Sequence, residues 1–296
     1  MITPAPSTTT VTGGVFIYDG FGHPATVLVT GVGGLNLTPA PNYSGGCSVV
    51  PVNVVDTQPT VCTASYTFAG DGDRTGSAGS ATILINKANS STTIGNGFTV
   101  IYDGVPHGVS ATATGVGGLN QSVAVSYNPG GSTTPNNPGS YTATATYPGD
   151  ANHLGSSAGP VTINITFGVC SIGPGGVILP PINSDGTSVY KRQGGSTIPV
   201  KFRVCGASGA AISNSAAVFA GTGGTLTMLS AVRGTVDAVN ETTSGDIPDA
   251  AFRWDASSQQ WIFNMATTNL TSGQTYQFRI NLAYSPANII FVVGVK

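Results

Sequence analysis

The sequence predicts an all-β protein made of antiparallel β-sandwiches, and three observations lead to this fold class. Hydrophobic and polar residues alternate with a period of two in short runs, of which residues 141–146 are a good example. Clusters rich in Gly, Pro, Asn and Asp separate these runs at intervals of roughly 8 to 12 residues, a spacing typical of sandwiches. No run carries an apolar stripe at helical spacing, and the abundant glycine and β-branched residues oppose helix formation.

The composition of the 296-residue chain favours folded domains over disorder and excludes two classes of partner. Hydrophobic residues make up 40% of the chain and charged residues 7%, against about 25% charged in an average soluble domain. Residues 1–168 hold two basic and six acidic residues, so we expect no nucleic-acid surface. The apolar run 289–293 is far shorter than the roughly 20 residues of a membrane helix, so we expect no membrane span.

An internal repeat divides the segment 1–168 into two homologous modules. The segment 17–20, Ile-Tyr-Asp-Gly, returns at 101–104, and the segment 30–36, Thr-Gly-Val-Gly-Gly-Leu-Asn, returns at 114–120. From residue 169 onward the repeat ends and a different β-rich sequence begins. We therefore predict four parts, which are an N-terminal strand over 1–14, β-sandwich domains over 15–88 and 89–168, and a C-terminal β-sandwich over 169–296.

Three motifs of the modules point to a known family. They are the Tyr-Asp-Gly-x-x-His turn, the Thr-Gly-Val-Gly-Gly-Leu-Asn segment and the closing Val-Thr-Ile-x-Ile strand at 161–165, and they resemble the MBG-type bacterial immunoglobulin-like repeats. The segment 199–202, Pro-Val-Lys-Phe, resembles the Pro-x-Lys-Phe domain at the ends of secreted bacterial proteins. The resemblances imply tandem immunoglobulin-like antiparallel β-sandwiches in an extracellular or cell-surface bacterial protein. They imply no chemistry.

Four cysteines fall into two local pairs, each inside one predicted domain. One pair is Cys47 with Cys62, and the other is Cys170 with Cys205. Metal ligation is the competing interpretation, but neither pair forms a close Cys-x-x-Cys and no histidine lies nearby. We predict a disulfide in each pair, and hence an oxidising compartment. Residues 1–12 lack the basic and apolar regions of an export leader, and we expect that a leader has been removed.

Residues with catalytic or metal-binding chemistry are scattered along the chain. His23 and His107 hold equivalent turn positions in two separate domains, so they cannot form one centre. Asp71 and Asp73 would supply too few oxygens for calcium and are typical of an Asx turn. The sequence contains no nucleophile elbow, zinc motif or phosphate loop. We therefore predict that the protein is not an enzyme and has no cofactor and no metal site.

The scarcity of charge and the N-terminal strand together indicate a fibre. Strand edges of free monomers are normally guarded by Lys, Pro or bulges, and residues 1–168 hold only two basic side chains. Residues 7–11 align with 91–94 at the same offset as the repeated segments, so the opening strand of the first module is a terminal one that can be donated to a neighbour. The predicted function is a structural subunit of an extracellular, pilus-like homopolymer. Its donated strand contains four named residues, Ile2, Thr8, Thr10 and Val11.

A binding protein is the alternative prediction. In an adhesin or stalk, the modules space a ligand-binding C-terminal domain from the cell, and a surface glycan is the partner. Trp254, Trp261, Tyr276 and Phe278 would offer rings for sugar stacking, although core packing explains the same aromatic residues. Glycan binding by residues 169–296 alone favours the adhesin, whereas concentration-dependent polymerisation favours the fibre.

Overall fold

The structure is a computed structural model that describes residues 3–221, 224, 226–233, 236 and 239–296. Strands joined by turns make up most of the described chain, which confirms the all-β prediction. The helical elements are short. They are α1 (Ser215–Val218) and the 3-10 helices Val32–Gly34, Val54–Asp56, Val116–Gly118, Thr267–Asn269 and Ser285–Ala287.

The first module contains seven described strands in two sheets. They are β1 (Ser7–Thr12), β2 (Gly14–Ile17), β3 (Thr26–Gly31), β4 (Leu35–Leu37), β5 (Asn42–Gly45), β6 (Cys62–Gly70) and β7 (Thr75–Asn86). One sheet has the order β1-β3-β4 and the other the order β2-β7-β6-β5. The alternation in β3 buries Val27 and Val29 and exposes their neighbours, as a period of two requires.

The second module repeats this arrangement strand for strand. Its strands are β8 (Ser90–Ile94), β9 (Phe98–Ile101), β10 (Ala111–Gly115), β11 (Leu119–Val123), β12 (Val125–Asn128), β13 (Gly139–Tyr147) and β14 (Ser156–Thr166). The sheet orders are β8-β10-β11 and β12-β13-β14-β9, which match those of the first module. The internal repeat found in the sequence is therefore a repeat of topology.

In each module the chain crosses from one sheet to the other after its first strand. The crossing produces a parallel pair of strands in each module, which the prediction of antiparallel sheets did not include. β1 is antiparallel to β3, and after Gly13 the chain continues as β2, which runs parallel to β7. A Cβ atom added at Gly13 would lie 2.1 Å from the carbonyl oxygen of Thr82, so only glycine fits at the crossing. Gly97 stands in the same relation to Thr162, at 2.3 Å, before the parallel pair of β9 and β14.

The C-terminal domain contains two further four-stranded sheets. Their strands are β15 (Ile178–Leu179), β16 (Val189–Tyr190), β17 (Thr197–Phe202), β18 (Leu226–Arg233), β19 (Arg253–Asp255), β20 (Gln260–Ala266), β21 (Gln274–Ile280) and β22 (Ile289–Val295). The sheet orders are β15-β17-β20-β19 and β16-β22-β21-β18. Residues of both sheets, such as Phe202 and Ile280, share one buried hydrophobic cluster.

The aromatic residues considered for sugar stacking belong mainly to this core. Trp261, Tyr276 and Phe278 are only 4%, 4% and 5% exposed. The indole N–H of Trp261 donates to the carbonyl of Ile212 at 2.9 Å, so its polar atom is also used internally. Core packing therefore accounts for these three residues, and only Trp254 of the set is partly exposed.

The chain divides into two compact units that differ from the predicted domains. The first unit comprises residues 1–95, 109–126 and 144–160, and the second comprises 96–108, 127–143 and 161–296. Each sheet nevertheless takes its strands from a single predicted domain, with one exception. β1, which belongs to the predicted N-terminal segment 1–14, joins a sheet of the first predicted domain. The boundaries 15–88, 89–168 and 169–296 stay a prediction.

Candidate functional site

The N-terminal strand β1 pairs with its own module along its whole length. Its partners on β3 run from Ser7 opposite Gly31 to Thr12 opposite Thr26. Thr8 and Thr10 are exposed, whereas Val11 is half-buried against the core cluster that contains Cys62. Ile2 lies outside the described residues.

The register of β1 corrects the alignment made from the sequence. Ser7 lies opposite Gly31, and in the second module Ser90 lies opposite Gly115. The equivalent of Ser7 is therefore Ser90, one position before the Ser91 that the sequence alignment gave. One residue separates β1 from β2, whereas three residues separate β8 from β9, so the two modules differ in length at this point of the chain.

Partly buried hydroxyl groups join each opening strand to the last long strand of its module. Thr9 Oγ1 lies 2.7 Å from Ser77 Oγ, and Ser7 Oγ donates to the same oxygen at 2.7 Å. The equivalent oxygens of the second module are also 2.7 Å apart, and they belong to Ser90, Thr92 and Ser156. Neutral hydroxyls satisfy one another here, so the strands associate without any charged group.

The four cysteines form the two predicted disulfides. Cys47 is bonded to Cys62, and both lie in the core of the first module. Cys170 is bonded to Cys205 at the beginning of the C-terminal domain. The second module, residues 89–168, has no cysteine.

Tyr18 is the tyrosine of the first Tyr-Asp-Gly motif, and it is buried against residues of the second module. Tyr18 and the residues that it contacts belong to the first compact unit. Its ring meets the ring of His153 edge to face, with centroids 5.2 Å apart. A Cβ atom added at Gly117 would lie 2.4 Å from the Tyr18 hydroxyl oxygen. Gly117 has a φ of +64° and leaves the space that the tyrosine fills.

Asn152 holds the same junction together through hydrogen bonds. Its side-chain oxygen accepts the Val54 N–H at 3.0 Å, and its side-chain nitrogen donates to Asn53 Oδ1 at 3.0 Å. Its backbone oxygen accepts the Ala88 N–H at 2.9 Å, and Leu154 N–H donates to the Ala88 oxygen at 2.8 Å. The linker between the modules is thus part of the hydrogen-bonded structure.

His153 is 4% exposed and joins two parts of the second module. Its Nε2 donates to the Val116 carbonyl at 3.0 Å, and its Nδ1 lies 2.9 Å from Asp150 Oδ1. Although burial works against it, hydrogen bonds from the Tyr147 hydroxyl and from Asn152 N–H lower the pKa of Asp150 to about 2. The sequence offered no role for this histidine beyond that of a loop residue.

Arg74 takes the place of His153 in the first module. Its Nη1 pairs with Asp71 Oδ2 at 2.8 Å, and its Nε donates to the Val32 carbonyl at 2.8 Å. Asp73 N–H donates to Asp71 Oδ1 at 2.9 Å, which confirms the predicted Asx turn. This N–H and the Arg74 guanidinium lower the pKa of Asp71. Within the described ranges, no group of three His, Cys, Asp or Glu residues is placed to hold a metal ion.

The second Tyr-Asp-Gly motif also meets the domain that follows it, inside the second compact unit. Tyr102 packs against the hydrophobic cluster of the C-terminal domain, and its carbonyl accepts the Ala207 N–H at 2.8 Å. Asp103 Oδ1 lies 2.9 Å from His107 Nε2, and Asp19 lies 3.3 Å from His23 in the first module. The two histidines are therefore turn residues, as the sequence predicts.

The tyrosines of the repeated motif are junction residues that the sequence analysis missed. The motif was interpreted as a turn alone, because Asp and Gly are turn residues. The signal that could have identified the junction was the tyrosine itself, a large side chain repeated directly after an edge strand.

Comparisons with known proteins add no identity. No family model matches the chain, and no curated protein matches it. Among solved structures the chain is similar to the crystal structure of Drosophila N-cadherin EC1-4, with 10% sequence identity over 100% of this chain and 76% of that chain, and a TM-score of 0.19. A likeness at that TM-score carries no argument about function. In the described part of the chain, no helix has the length and apolar character of a bilayer span. What is established is a sheet-rich, immunoglobulin-like fold with two disulfides, and membership of the MBG-type and Pro-x-Lys-Phe families stays a prediction.

Proposed function

We propose that this protein is a non-enzymatic structural subunit of an extracellular bacterial fibre, in which copies are joined by exchange of the strand β1. The observation that carries the proposal is the position of β1 at the edge of the sheet β1-β3-β4. Its removal leaves β3 with an unpaired edge, and the same strand from a second copy fills that edge with the same hydrogen bonds.

The interactions of β1 are the same whichever chain supplies the strand. The ladder to β3 has six residue pairs, Val11 contributes to the core, and the hydroxyls of Ser7 and Thr9 bind Ser77. The equivalent strand β8 lies between two modules of one chain, so it cannot leave its sheet without separating them. We therefore assign strand exchange to β1 and not to β8.

The chemistry of the molecule supports self-association outside the cell. Charged residues make up only 7% of the chain, so few charges oppose contact between strand edges of different copies. Two disulfides are typical of proteins that mature in an oxidising compartment. The adhesin alternative has no comparable support, since three of its four candidate sugar-stacking rings are buried.

A reversible crosslink tests strand exchange. Thr10 and Leu28 are register partners on β1 and β3, and both are exposed. The double variant Thr10→Cys with Leu28→Cys, oxidised as a monomer, holds β1 in its own module. We expect filaments in electron micrographs of the wild-type protein and of the reduced variant, and none from the oxidised variant.

The second module provides the matched control. Thr93 and Thr112 are the equivalent register partners on β8 and β10. The double variant Thr93→Cys with Thr112→Cys crosslinks a strand that is not exchanged, so it should form filaments when oxidised. The wild type with and without reductant controls for the two native disulfides. Filaments from the oxidised Thr10→Cys, Leu28→Cys protein in wild-type amount would contradict strand exchange.

A further inference from the structure

Three of the ten basic residues of the chain meet at one end of the C-terminal domain. We call them the basic cluster, which consists of Lys191, Arg192 and Lys296. We infer that the basic cluster and the polar cleft beside it bind an anionic polysaccharide, a polymer whose sugars carry carboxylate or phosphate groups. The inference does not depend on strand exchange, and only the place where the protein meets such a polymer rests on the proposed extracellular function.

The backbone of two strands brings the cluster together. β16 and β22 run parallel, with Tyr190 beside Val295, so the residues that follow the two strands lie side by side. Lys296 N–H donates to the Tyr190 carbonyl at 2.9 Å, and Arg192 N–H donates to the Lys296 carbonyl at 2.9 Å. The sequence shows only the adjacent pair Lys191 and Arg192, and the parallel pairing adds the third cation. All three residues are exposed.

The chain around the cluster offers no opposite charge. The segments 186–196, 266–276 and 292–296 contain no Asp or Glu. Glu241 bonds to the backbone of β16, but its carboxylate accepts from Ser188, at the opposite end of that strand from the cluster. Because like charges repel one another, the cluster is more stable when an anion joins it.

Ion pairs elsewhere in the chain show the contrast. Arg74 pairs with Asp71 at 2.8 Å, and Arg253 pairs with Asp249 at 3.4 Å. Among the described residues, no ion pair involves a member of the basic cluster. If residue 296 ends the chain, its carboxylate offsets one of the three positive charges and the cluster stays positive. The cluster is therefore a site where an external anion is favoured.

Hydrogen bonds hold the Arg192 side chain in place against the loop of residues 268–272. Its Nε donates to the Leu270 carbonyl at 2.8 Å, and its Nη2 donates to the Thr268 carbonyl at 3.3 Å. Its Nη1 has no acceptor among the described residues. Since the guanidinium is already fixed, an oxyanion that binds Nη1 orders little additional side chain.

The loop is itself fixed by buried hydrogen bonds. Thr267 is fully buried, and its hydroxyl donates to the Gln193 carbonyl at 2.8 Å. The Ser196 hydroxyl lies 2.7 Å from the same Thr267 oxygen, and Thr271 N–H donates to the Tyr276 hydroxyl at 2.6 Å. The loop therefore forms a fixed wall beside the basic cluster.

A cleft of about 340 Å³ lies between Arg192 and this loop, within the size range of small-ligand sites. Its lining offers the hydroxyls of Thr268, Thr271 and Ser272 and the side-chain amide of Asn269, and it contains no carboxylate. Hydroxyl and amide groups both donate and accept hydrogen bonds, as the hydroxyls of a sugar require, whereas a bare anion needs donors alone. Neutral polar groups next to unpaired cations therefore fit a sugar that carries an anionic group.

Binding of defined saccharides to the whole chain tests the inference. The probes are an oligogalacturonate, which carries carboxylates, a phosphomannan, which carries phosphates, and a neutral maltooligosaccharide. We expect calorimetry at low salt to show binding of an anionic probe and none of the neutral one, and added salt to weaken the binding. The anionic probe that binds more tightly identifies the anionic group. Absence of binding to both anionic probes, equal binding of the neutral one, or tighter binding of a single-stranded oligonucleotide would overturn the inference.

Variants locate the site. Arg192→Gln should weaken binding of the anionic probe about tenfold, because it removes a charge-assisted donor. The double variant Lys191→Gln with Lys296→Gln leaves the Arg192 bonds to the loop in place and should weaken binding severalfold. Arg253→Gln makes the same change of charge in the same domain and should leave the affinity within about twofold.

Equal weakening by Arg253→Gln, or an unchanged affinity of the double lysine variant, would show that the basic cluster is not the site. The double variant decides the matter where Arg192→Gln fails to fold. Filament formation is measured separately and depends on β1, so each of the two proposals can fail without the other.

Discussion

The two modules have the same strands in the same order, yet their N-terminal ends are used differently. In the second module the Val-Gly-Gly turn and His153 lie beneath Tyr18, whereas in the first Arg74 replaces the histidine and its guanidinium lies against Gly33 of the same turn. The exposed fraction of the side chain is 5% for His153 and 16% for Arg74. The comparison teaches that the repeated motif encodes a junction, and that a motif read in one module alone looks like an ordinary turn.

The modules also differ in how their cores are completed. The first contains the buried Cys47–Cys62 bond, whereas the second has no covalent link, and Tyr127, Ala143 and Ile163 are among its buried residues. A small core that includes several alanines buries little apolar surface, so a covalent link contributes a large share of the stability. Three predictions test the comparison, beginning with this bond.

Removal of the first disulfide should have the largest effect. The double variant Cys47→Ser with Cys62→Ser releases a loop whose ends are 15 positions apart in the sequence, and loop-closure entropy predicts a loss of about 3 kcal/mol in the free energy of unfolding. Hydrogen exchange measured peptide by peptide should show the loss in the first module. The second module serves as the internal control, and equal loss of protection in both modules would show that they unfold as one unit.

Alanine at the two equivalent glycines should isolate the contribution of the covering tyrosine. Gly33→Ala and Gly117→Ala both force a left-handed backbone on alanine, at about 1 kcal/mol each. Gly117→Ala also brings a methyl group against Tyr18, which overpacks the junction by about 1 to 3 kcal/mol more. Urea unfolding measures the difference.

A double-mutant cycle with Tyr18→Ala checks the cause of that difference. In the Tyr18→Ala background the two alanine variants should be equally destabilised, because the ring that the new methyl group would meet is gone. If the excess cost at Gly117 persists without the tyrosine, the difference between the modules has another origin.

The acid dependence of stability should show the smallest effect. The pKa of Asp150 is lowered from 3.8 to about 2 in the folded protein, so its ionised form contributes stability above pH 3.8 and loses it as the pH falls through about 2. Asp150→Asn should therefore lower the free energy of unfolding at neutral pH and flatten its decrease between these pH values. Unfolding curves of the wild type and of Asp150→Asn, measured at pH values from about 5 down to about 2, test both expectations.

Asp71→Asn is the matched variant in the first module. The pKa of Asp71 is also lowered, by the Asp73 N–H and by Arg74, so the sign is the same. Since the Asp71 carboxylate pairs with a permanent cation near solvent, we expect added salt to reduce its effect. An Asp150→Asn curve parallel to that of the wild type would contradict the role assigned to the carboxylate.

Much of the fold could be predicted from local sequence, for identifiable reasons. The alternation of apolar and polar residues over 141–146 predicted β13, because a period of two is the pattern of a β-strand with one buried face. The spacing of the cysteines predicted both disulfides, since each pair lies within one predicted domain. The parallel pairing of β2 with β7 was not predicted, because it depends on a crossing at Gly13 that is visible only when Thr82 is seen beside it.

The sequence by itself determined the strand content, the two homologous modules, the cysteine pairs and the scarcity of charge, because each depends on residue type or on short spacing along the chain. The tertiary structure alone decided the register of β1, the burial of Tyr18 on Gly117, and the contacts of Arg74 and His153 with the Val-Gly-Gly turns. These features depend on residues far apart in sequence that meet only when the sheets pack. These features arise from how the surfaces of packed sheets and turns fit together, and the order of residues along a short segment does not encode that fit.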